Sequence, residues 1–243
     1  MSSHLFQRPD PISDLTDRSN LVIAVAALCE RLASEERTYV DHADGRPENV
    51  AEHCFLLAKV AVLLADAYYP DLDHGEIALY AMVHDDVEAY VGDTSTDPTA
   101  NVDYQAKHDR ELHALEQLSA DYRPFSDAYI HYVTSYEEQT VPEARFVRMV
   151  DKVVVATQAY FDDGAVIKDK YTYDQFVAFQ LERAKVWGDE YPEFTEVISI
   201  RTDMQMYLAR KHLLPSAAGS SAAEASTTTK SATDAGPSKP PAA

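Results

Sequence analysis

The stretch "AMVHDDVEAYVGDT" (residues 81–94) sets a histidine and several carboxylates into an apolar, helical pattern. Asp73, with Glu76 three residues on, has the spacing of a helix start, and Gly92 has the character of a stop. Between them Ile77, Ala81, His84 and Glu88 recur at i, i+4, i+7 and i+11, one face of a helix running to about Val91. Asp85 lies one residue, about 100° of rotation, from His84. Buried ionisable groups are costly unless they are paired or bind a metal. Two alternatives follow, a structural polar network or a metal-centred site. Asp86 falls on neither pattern and reads as solvated.

The same punctuation extends in both directions. "RSNLVIAVAALCERLAS" (18–34) predicts a first helix. Asn49 and Glu52 have capping-box spacing and open a second, through about Tyr69, stopped by Pro70. A polar helix is expected in "VDYQAKHDRELHALEQLSADY" (102–122). Thr140-Val-Pro-Glu143 is a strong start signal for a helix reaching about Tyr160. Two more are expected near 173–187 and 191–212. With only 7 glycines and no run of short alternating segments, a β-sandwich or barrel is disfavoured and an all-α bundle is predicted. From Pro215 the sequence holds nothing more apolar than alanine, which predicts a disordered tail. The expected organisation is an arm over 1–17, a helical domain over 18–214 and a tail over 215–243.

Composition narrows the partners. The 41 acidic and 21 basic residues give a net charge of −20, which repels nucleic acid polymers. A small phosphorylated substrate remains compatible, because one bound cation inverts the local field. Cys29 and Cys54 form neither a disulfide framework nor a paired zinc motif, and a reducing cytoplasm fits them. The N-terminus lacks the basic start and apolar core of a signal peptide. The longest apolar stretches carry Glu30, Arg31, Lys59 or Asp66 and are too short to span a bilayer, so a soluble protein is expected.

Two more polar residues sit on apolar stripes. His53 aligns with Leu57, Val60 and Leu64; taken alone, it reads as an ordinary core histidine. Asp151, in "RFVRMVDKVVVAT" (145–157), aligns with Ala144, Val147, Val154 and Val155. A buried carboxylate there needs a partner, which Arg148, Lys152 or a metal would provide. Together His53, His84, Asp85 and Asp151 place two imidazoles and two carboxylates at inward positions on three helices. Mixed nitrogen and oxygen ligands suit a divalent transition ion or magnesium better than a structural zinc. If six-coordinate, such an ion keeps positions for water and a phosphate oxygen. The second His–Asp dipeptide, His108-Asp109, lies among Lys107, Arg110 and Glu111 on a charged surface helix and is assigned no chemistry.

The order His53, His84-Asp85, Asp151 resembles the H…HD…D signature of the HD-domain metal-dependent phosphohydrolases. "GRPENVAEH" (45–53) and "MVHDDVEAYVGDTST" (82–96) are similar to the matching stretches of the 5′-deoxynucleotidase branch, and the likeness covers roughly residues 20–160. The resemblance implies a helical HD-domain fold, often dimeric, that hydrolyses deoxynucleoside 5′-monophosphates with one divalent ion such as Mn, Co or Mg. It implies His53, His84, Asp85 and Asp151 as metal ligands and Glu88 as the residue that orients or deprotonates the attacking water. It further implies Asp93 at the sugar 3′-hydroxyl, with Arg37 and Tyr39 of "RTYV" near sugar and phosphate. Arg46 is a further candidate substrate contact.

Three rival readings remain. A dNTP triphosphohydrolase of the same fold would need extra cations near the site, for which Arg46, Arg148 and Lys152 are candidates. Alarmone hydrolases carry Glu-Asp soon after the His-Asp pair, where this chain has Glu88-Ala89. A catalytically silent nucleotide-binding protein would have lost a ligand or Glu88, yet all five positions are present.

Overall fold

The computed structural model describes residues 6–42, 44–93, 104–168 and 170–213. The tail expected from 215 onward lies outside the described residues. The architecture is all-α with one small hairpin. Helix α1 (Asp17–Ser34) starts on the Thr16 side chain, which accepts the Ser19 N–H. The hairpin β1 (Glu36–Asp41) and β2 (Pro47–Asn49) follows and pairs antiparallel. No strand is expected from the sequence here, because six residues rich in charge show no clean apolar alternation. Gly45, at φ 82°, turns the hairpin where the His42 N–H meets the Arg46 carbonyl at 2.8 Å.

Helix α2 (Val50–Tyr68) carries the expected capping box. The Asn49 side chain accepts the Glu52 N–H at 3.0 Å, and Glu52 Oε2 accepts the Asn49 N–H at 3.2 Å. Helix α3 (His74–Val83) departs from expectation at both ends. Asp73 caps the Gly75 and Glu76 N–H groups, but Glu76 does not return the bond. Its carboxylate accepts from the Tyr132 hydroxyl, and the Asp73 N–H is instead met by Glu143 from a later helix. Nor does the helix run unbroken to Val91. It ends at Val83, and a short α4 (Glu88–Val91) follows, closed by Gly92 at φ 77°.

Helix α5 (Tyr104–Tyr122) matches its expected span within two residues. Helix α6 (Asp127–Glu138) is absent from the sequence expectations. Its tyrosines mix apolar rings with hydroxyls and blur the stripe, although Ser126 caps it and Ile130, Val133 and Tyr136 are buried. Helix α7 (Pro142–Phe161) has its proline at the first position. A one-turn α8 (Ala165–Lys168), α9 (Tyr173–Glu190), a 3₁₀ turn at Pro192–Phe194 and α10 (Thr195–His212) complete the order.

Two apolar clusters hold these elements. One joins α2, α3, α7 and α10 through Leu57, Ala61, Ile77, Phe146, Val150 and Val197. The other joins α1, α2, α5 and α6 through Leu28, Val50, Leu118, Ile130 and Val133. Burying each such leucine, isoleucine or phenylalanine contributes about 1.5–3 kcal/mol. The N-terminal arm packs on the second cluster, with Phe6 edge-on to Tyr90 and Arg8 paired with Asp121.

Asn49 fixes the first turn of α2 and with it the backbone that carries His53. Asn49→Ala is expected to lower stability by about 1 kcal/mol, read as a reduced urea midpoint with unchanged slope.

Candidate metal centre

The capping box starts α2 one turn before His53, so the imidazole projects from a helix end that cannot fray freely. His53 is 1% exposed. Its Nε2 lies 3.1 Å from Asp151 Oδ1 and 3.8 Å from Asp85 Oδ2. His84 closes α3, and its Nδ1 stands 3.0 Å from the Ala81 carbonyl. A carbonyl only accepts, so Nδ1 carries a proton. Nε2 lies 2.9 Å from Asp85 Oδ2, and although burial opposes a second proton there, Asp85 outweighs it and raises the imidazole well above its ordinary value. Asp151 comes from the middle of α7 and is also 2.9 Å from the Lys152 ammonium.

The break after α3 explains how Asp85 and Glu88 reach the same cavity. Backbone bonds Asp86→Val83, Glu88→Asp85, Ala89→Asp86 and Tyr90→Val87 all skip three residues. This tightens the chain to about three residues per turn, which stacks positions i and i+3 on one line. Asp85 and Glu88 are such a pair, and both line the cavity with His84. In an unbroken α-helix Glu88 would follow His84 instead.

Asp86, expected in solvent, is buried instead. Tyr129 of α6 donates its hydroxyl to Asp86 Oδ2 at 2.6 Å. Burial, with Asp85 adding repulsion, pushes the Asp86 carboxyl up to about 7 despite that bond. Glu48 went unnoticed in the sequence. It is 3% exposed, with Oε2 3.6 Å from Arg37 Nε and 3.9 Å from His53 Nδ1. A carboxylate five residues before a histidine follows no helical period, and only the hairpin brings it there.

The donor set fits a cation. His53 Nε2, His84 Nε2 and Glu88 Oε2 are buried atoms that make no aligned hydrogen bond. Buried polar atoms that approach carboxylates without aligned hydrogen bonds call for a further partner, which a cation replacing the imidazole protons would supply. Ligand atoms of His53, His84 and Asp151 all lie within 4.8 Å of one another, compatible with bonds of about 2.0–2.2 Å to a central ion. Cys54 Sγ is 3.7 Å from His84 Nδ1. It faces the protonated nitrogen, and burial pushes its thiol up to about 11, so it stays neutral and is a poor ligand.

Electrostatics separate the carboxylates. Burial would raise Asp85, but His84, His53 and Arg37 outweigh it and hold the group at about 2. Burial likewise opposes Asp151, and Lys152 with His53 overcomes it and drives the carboxyl well below its ordinary range. Glu88 goes the other way, raised well above its ordinary value by burial and by Asp85 and Asp93. Opposite shifts on neighbouring carboxylates are the usual mark of divided acid–base roles.

Arg37 is brought into the site, with Nη1 3.4 Å from Asp85 Oδ2. Asp93 stands beside it. The Thr38 N–H donates to its carboxylate, and its own N–H donates to Glu35 Oε1 at 3.1 Å. Tyr39 belongs to β1, but its side chain lies outside the described residues. Arg46 is not brought in. Its Nη1 is bound to Glu52 Oε2 at 2.9 Å on the exposed side of the capping box, and it does not line the cavity. Arg148 is tied to Glu137 at 3.5 Å and lies over the Tyr136 ring. The cavity, about 490 Å³, is of small-ligand size.

A family model described as HD domain matches residues 29–190, and this chain belongs to that family. Among curated relatives, the 5′-deoxynucleotidase YGK1 of Saccharomyces cerevisiae is 28% identical over 148 residues, 58% of this chain and 66% of the relative. The 5′-deoxynucleotidase HDDC2 of Homo sapiens is 32% identical over 118 residues, 47% of this chain and 54% of the relative. The chain thus spans between half and two thirds of these two relatives. A crystal structure titled as a predicted metal-dependent phosphohydrolase from Magnetospirillum magnetotacticum MS-1 shares the fold. Its TM-score is 0.62 at 24% identity, covering 82% of this chain and 96% of that one.

Asp86 supplies a pH test. Its folded value near 7 lies above the ordinary carboxyl value of 3.8, so the folded state holds the extra proton between them. That contribution is full below about pH 4 and is lost as pH rises through 7. Asp86→Asn should therefore flatten the fall in stability of the metal-free protein between about pH 5 and 8, followed by melting temperature.

Proposed function

We propose that this protein is a metal-dependent phosphohydrolase that removes the 5′-phosphate from deoxynucleoside monophosphates. The observation that carries the reading is the cluster of His53, His84 and Asp151, whose ligand atoms lie within 4.8 Å of one another, with Asp85 Oδ2 2.9 Å from His84 and the buried Oε2 of Glu88 without a hydrogen-bond partner. The curated relatives are named 5′-deoxynucleotidases, which supports the substrate class.

His53, His84, Asp85 and Asp151 would hold one divalent ion. When bound, it neutralises phosphate oxygens and acidifies a water. Glu88, one 3₁₀ turn beyond Asp85, faces the cavity with a free carboxylate oxygen and takes the proton of the attacking water. Arg37 offers a guanidinium to the phosphate from the hairpin side. Asp93, locked by Thr38 and Glu35, faces the sugar hydroxyl as a preset acceptor. Lys152 offsets the charge of Asp151 and keeps it ionised.

The triphosphohydrolase alternative called for extra cations near the site, with Arg46, Arg148 and Lys152 as candidates. Arg46 is outside the cavity, and the other two are engaged by Glu137 and Asp151. No helix among the described residues is long and apolar enough to cross a membrane. Two cysteines without a disulfide support a cytoplasmic setting. Phe55, Leu63 and Met82, each at least 60% exposed on α2 and α3, support a homodimer.

Phosphate release from mono-, di- and triphosphates with Mn²⁺, Co²⁺ and Mg²⁺ tests the reading, and failure on every deoxynucleoside monophosphate would overturn it. Asp151→Ala is expected to abolish metal binding together with activity. Glu88→Gln should keep the metal, by direct elemental assay, while turnover falls about 10²–10⁴-fold. Arg46→Ala should leave KM within about twofold of the parent, because its guanidinium is exposed, bound to Glu52 and off the cavity.

A further inference from the structure

Beyond the metal centre the cavity continues toward α9 and α10, and its character changes there. Trp187, the chain's single tryptophan, is buried in its wall. Two guanidinium groups lie against the indole, Arg201 at 4.4 Å and Arg183 at 5.6 Å from the ring centroid. Arg183 also lies 5.1 Å from the Phe179 ring.

Arg201 donates Nε–H to the Lys152 carbonyl at 2.9 Å and Nη1–H to Gln180 Oε1 at 2.8 Å, and both acceptors are neutral. Among the described residues neither Arg183 nor Arg201 forms an ion pair with a carboxylate. Arg37, Arg46, Arg145 and Arg148, by contrast, each do. Burial and the nearby Arg183 push the Arg201 guanidinium down to about 10, a large displacement for a group that is otherwise always charged. Holding two cations together in a partly buried wall is unfavourable unless an anion joins them. A planar guanidinium with unused donors is shaped for phosphate oxygens. Gln180 and Gln205, each 4% exposed, also line this part of the wall.

We propose that Arg183 and Arg201, held against Trp187 in the far wall of the cavity, form a second anion site that takes a phosphoryl group. The cation pair stands on its own geometry, and only the choice of phosphate as the anion rests on the nucleotide-hydrolase reading. Two sources supply that chemistry, a free inorganic phosphate released by hydrolysis or a further phosphoryl group in an oligophosphate chain. Arg201 is bonded to the carbonyl of Lys152, the residue after Asp151, so the second site adjoins the metal centre along α7.

Trp187 reports on this site directly, without turnover and without metal. The full chain in EDTA is titrated with inorganic phosphate and, separately, with tripolyphosphate, following tryptophan emission. A saturable change is expected, with its midpoint raised about tenfold or more in Arg201→Gln and in Arg183→Gln, as loss of a charge-assisted contact implies. Glu88→Gln should leave the midpoint within about twofold, since that residue does not touch the arginines. A response to inorganic phosphate identifies the free ion, and a response to tripolyphosphate alone identifies the chain. No saturable response to either, or a midpoint unchanged in both arginine variants, overturns the proposal. Should Arg201→Gln fail to fold by circular dichroism, Arg183→Gln decides. Absent nucleotidase activity would leave a positive emission result standing. A flat emission response with active enzyme would sink this inference alone.

Discussion

Everything in this molecule is arranged around the desolvation of four ionisable side chains at one point. Two imidazoles and two carboxylates occupy positions where an apolar residue would pack at no electrostatic cost. Isolated, each buried charge costs several kcal/mol even after relaxation. Placed together, imidazole and carboxylate offset one another in part, yet the buried Nε2 atoms of His53 and His84 still lack aligned partners. A polar network built for stability would align those atoms and satisfy them. The missing alignment at both imidazoles is what makes the cluster a candidate for a bound cation.

Rigidity around the point follows from different devices on each element. The capping box holds α2, a terminal carbonyl fixes the ring of His84, and Lys152 keeps Asp151 ionised beside it. The break between α3 and α4 is the least ordinary of these. By tightening to three residues per turn it sets Asp85 and Glu88 on one side, while Asp86 turns inward to Tyr129. One acidic run thereby acquires three separate environments. Asp85 is held ionised, Asp86 and Glu88 are pushed toward the neutral form, and no long-range charge pattern is needed to divide them.

What the sequence disclosed follows the same physics. His53 and Asp151 were legible because a polar residue on an apolar stripe violates a simple period, and capping spacing located α2. Asp85 was legible only as the neighbour of His84, since the switch to 3₁₀ bonding has no periodic signature. Asp86 was misplaced for that reason: on an ideal helix it faces solvent, and the actual turn buries it. Helix α6 escaped because amphipathic tyrosines carry no sharp polar–apolar contrast. Glu48 and the arrival of Arg37 beside Asp85 depend on hairpin pairing between segments about ten residues apart. Arg201 enters from α10, some fifty residues beyond Asp151, and no local pattern links them.

The overall charge gains meaning in this light. A chain at −20 repels phosphates at long range, but salt screens that field within about 8–10 Å of the surface. Inside the cavity the balance is close to even. Arg37, Lys107, Arg148, Lys152, Lys170, Arg183 and Arg201 line it alongside Asp85, Glu88, Asp93, Glu111, Glu137 and Asp151. A ligand small enough to fit in about 490 Å³ leaves the strongly acidic exterior behind and meets a wall in which basic and acidic side chains nearly cancel. A polynucleotide cannot do so, because most of its phosphates must remain over the acidic surface. Size and charge thus act as one filter: the same exterior that rejects nucleic acid polymers imposes little penalty on a mononucleotide once it is inside.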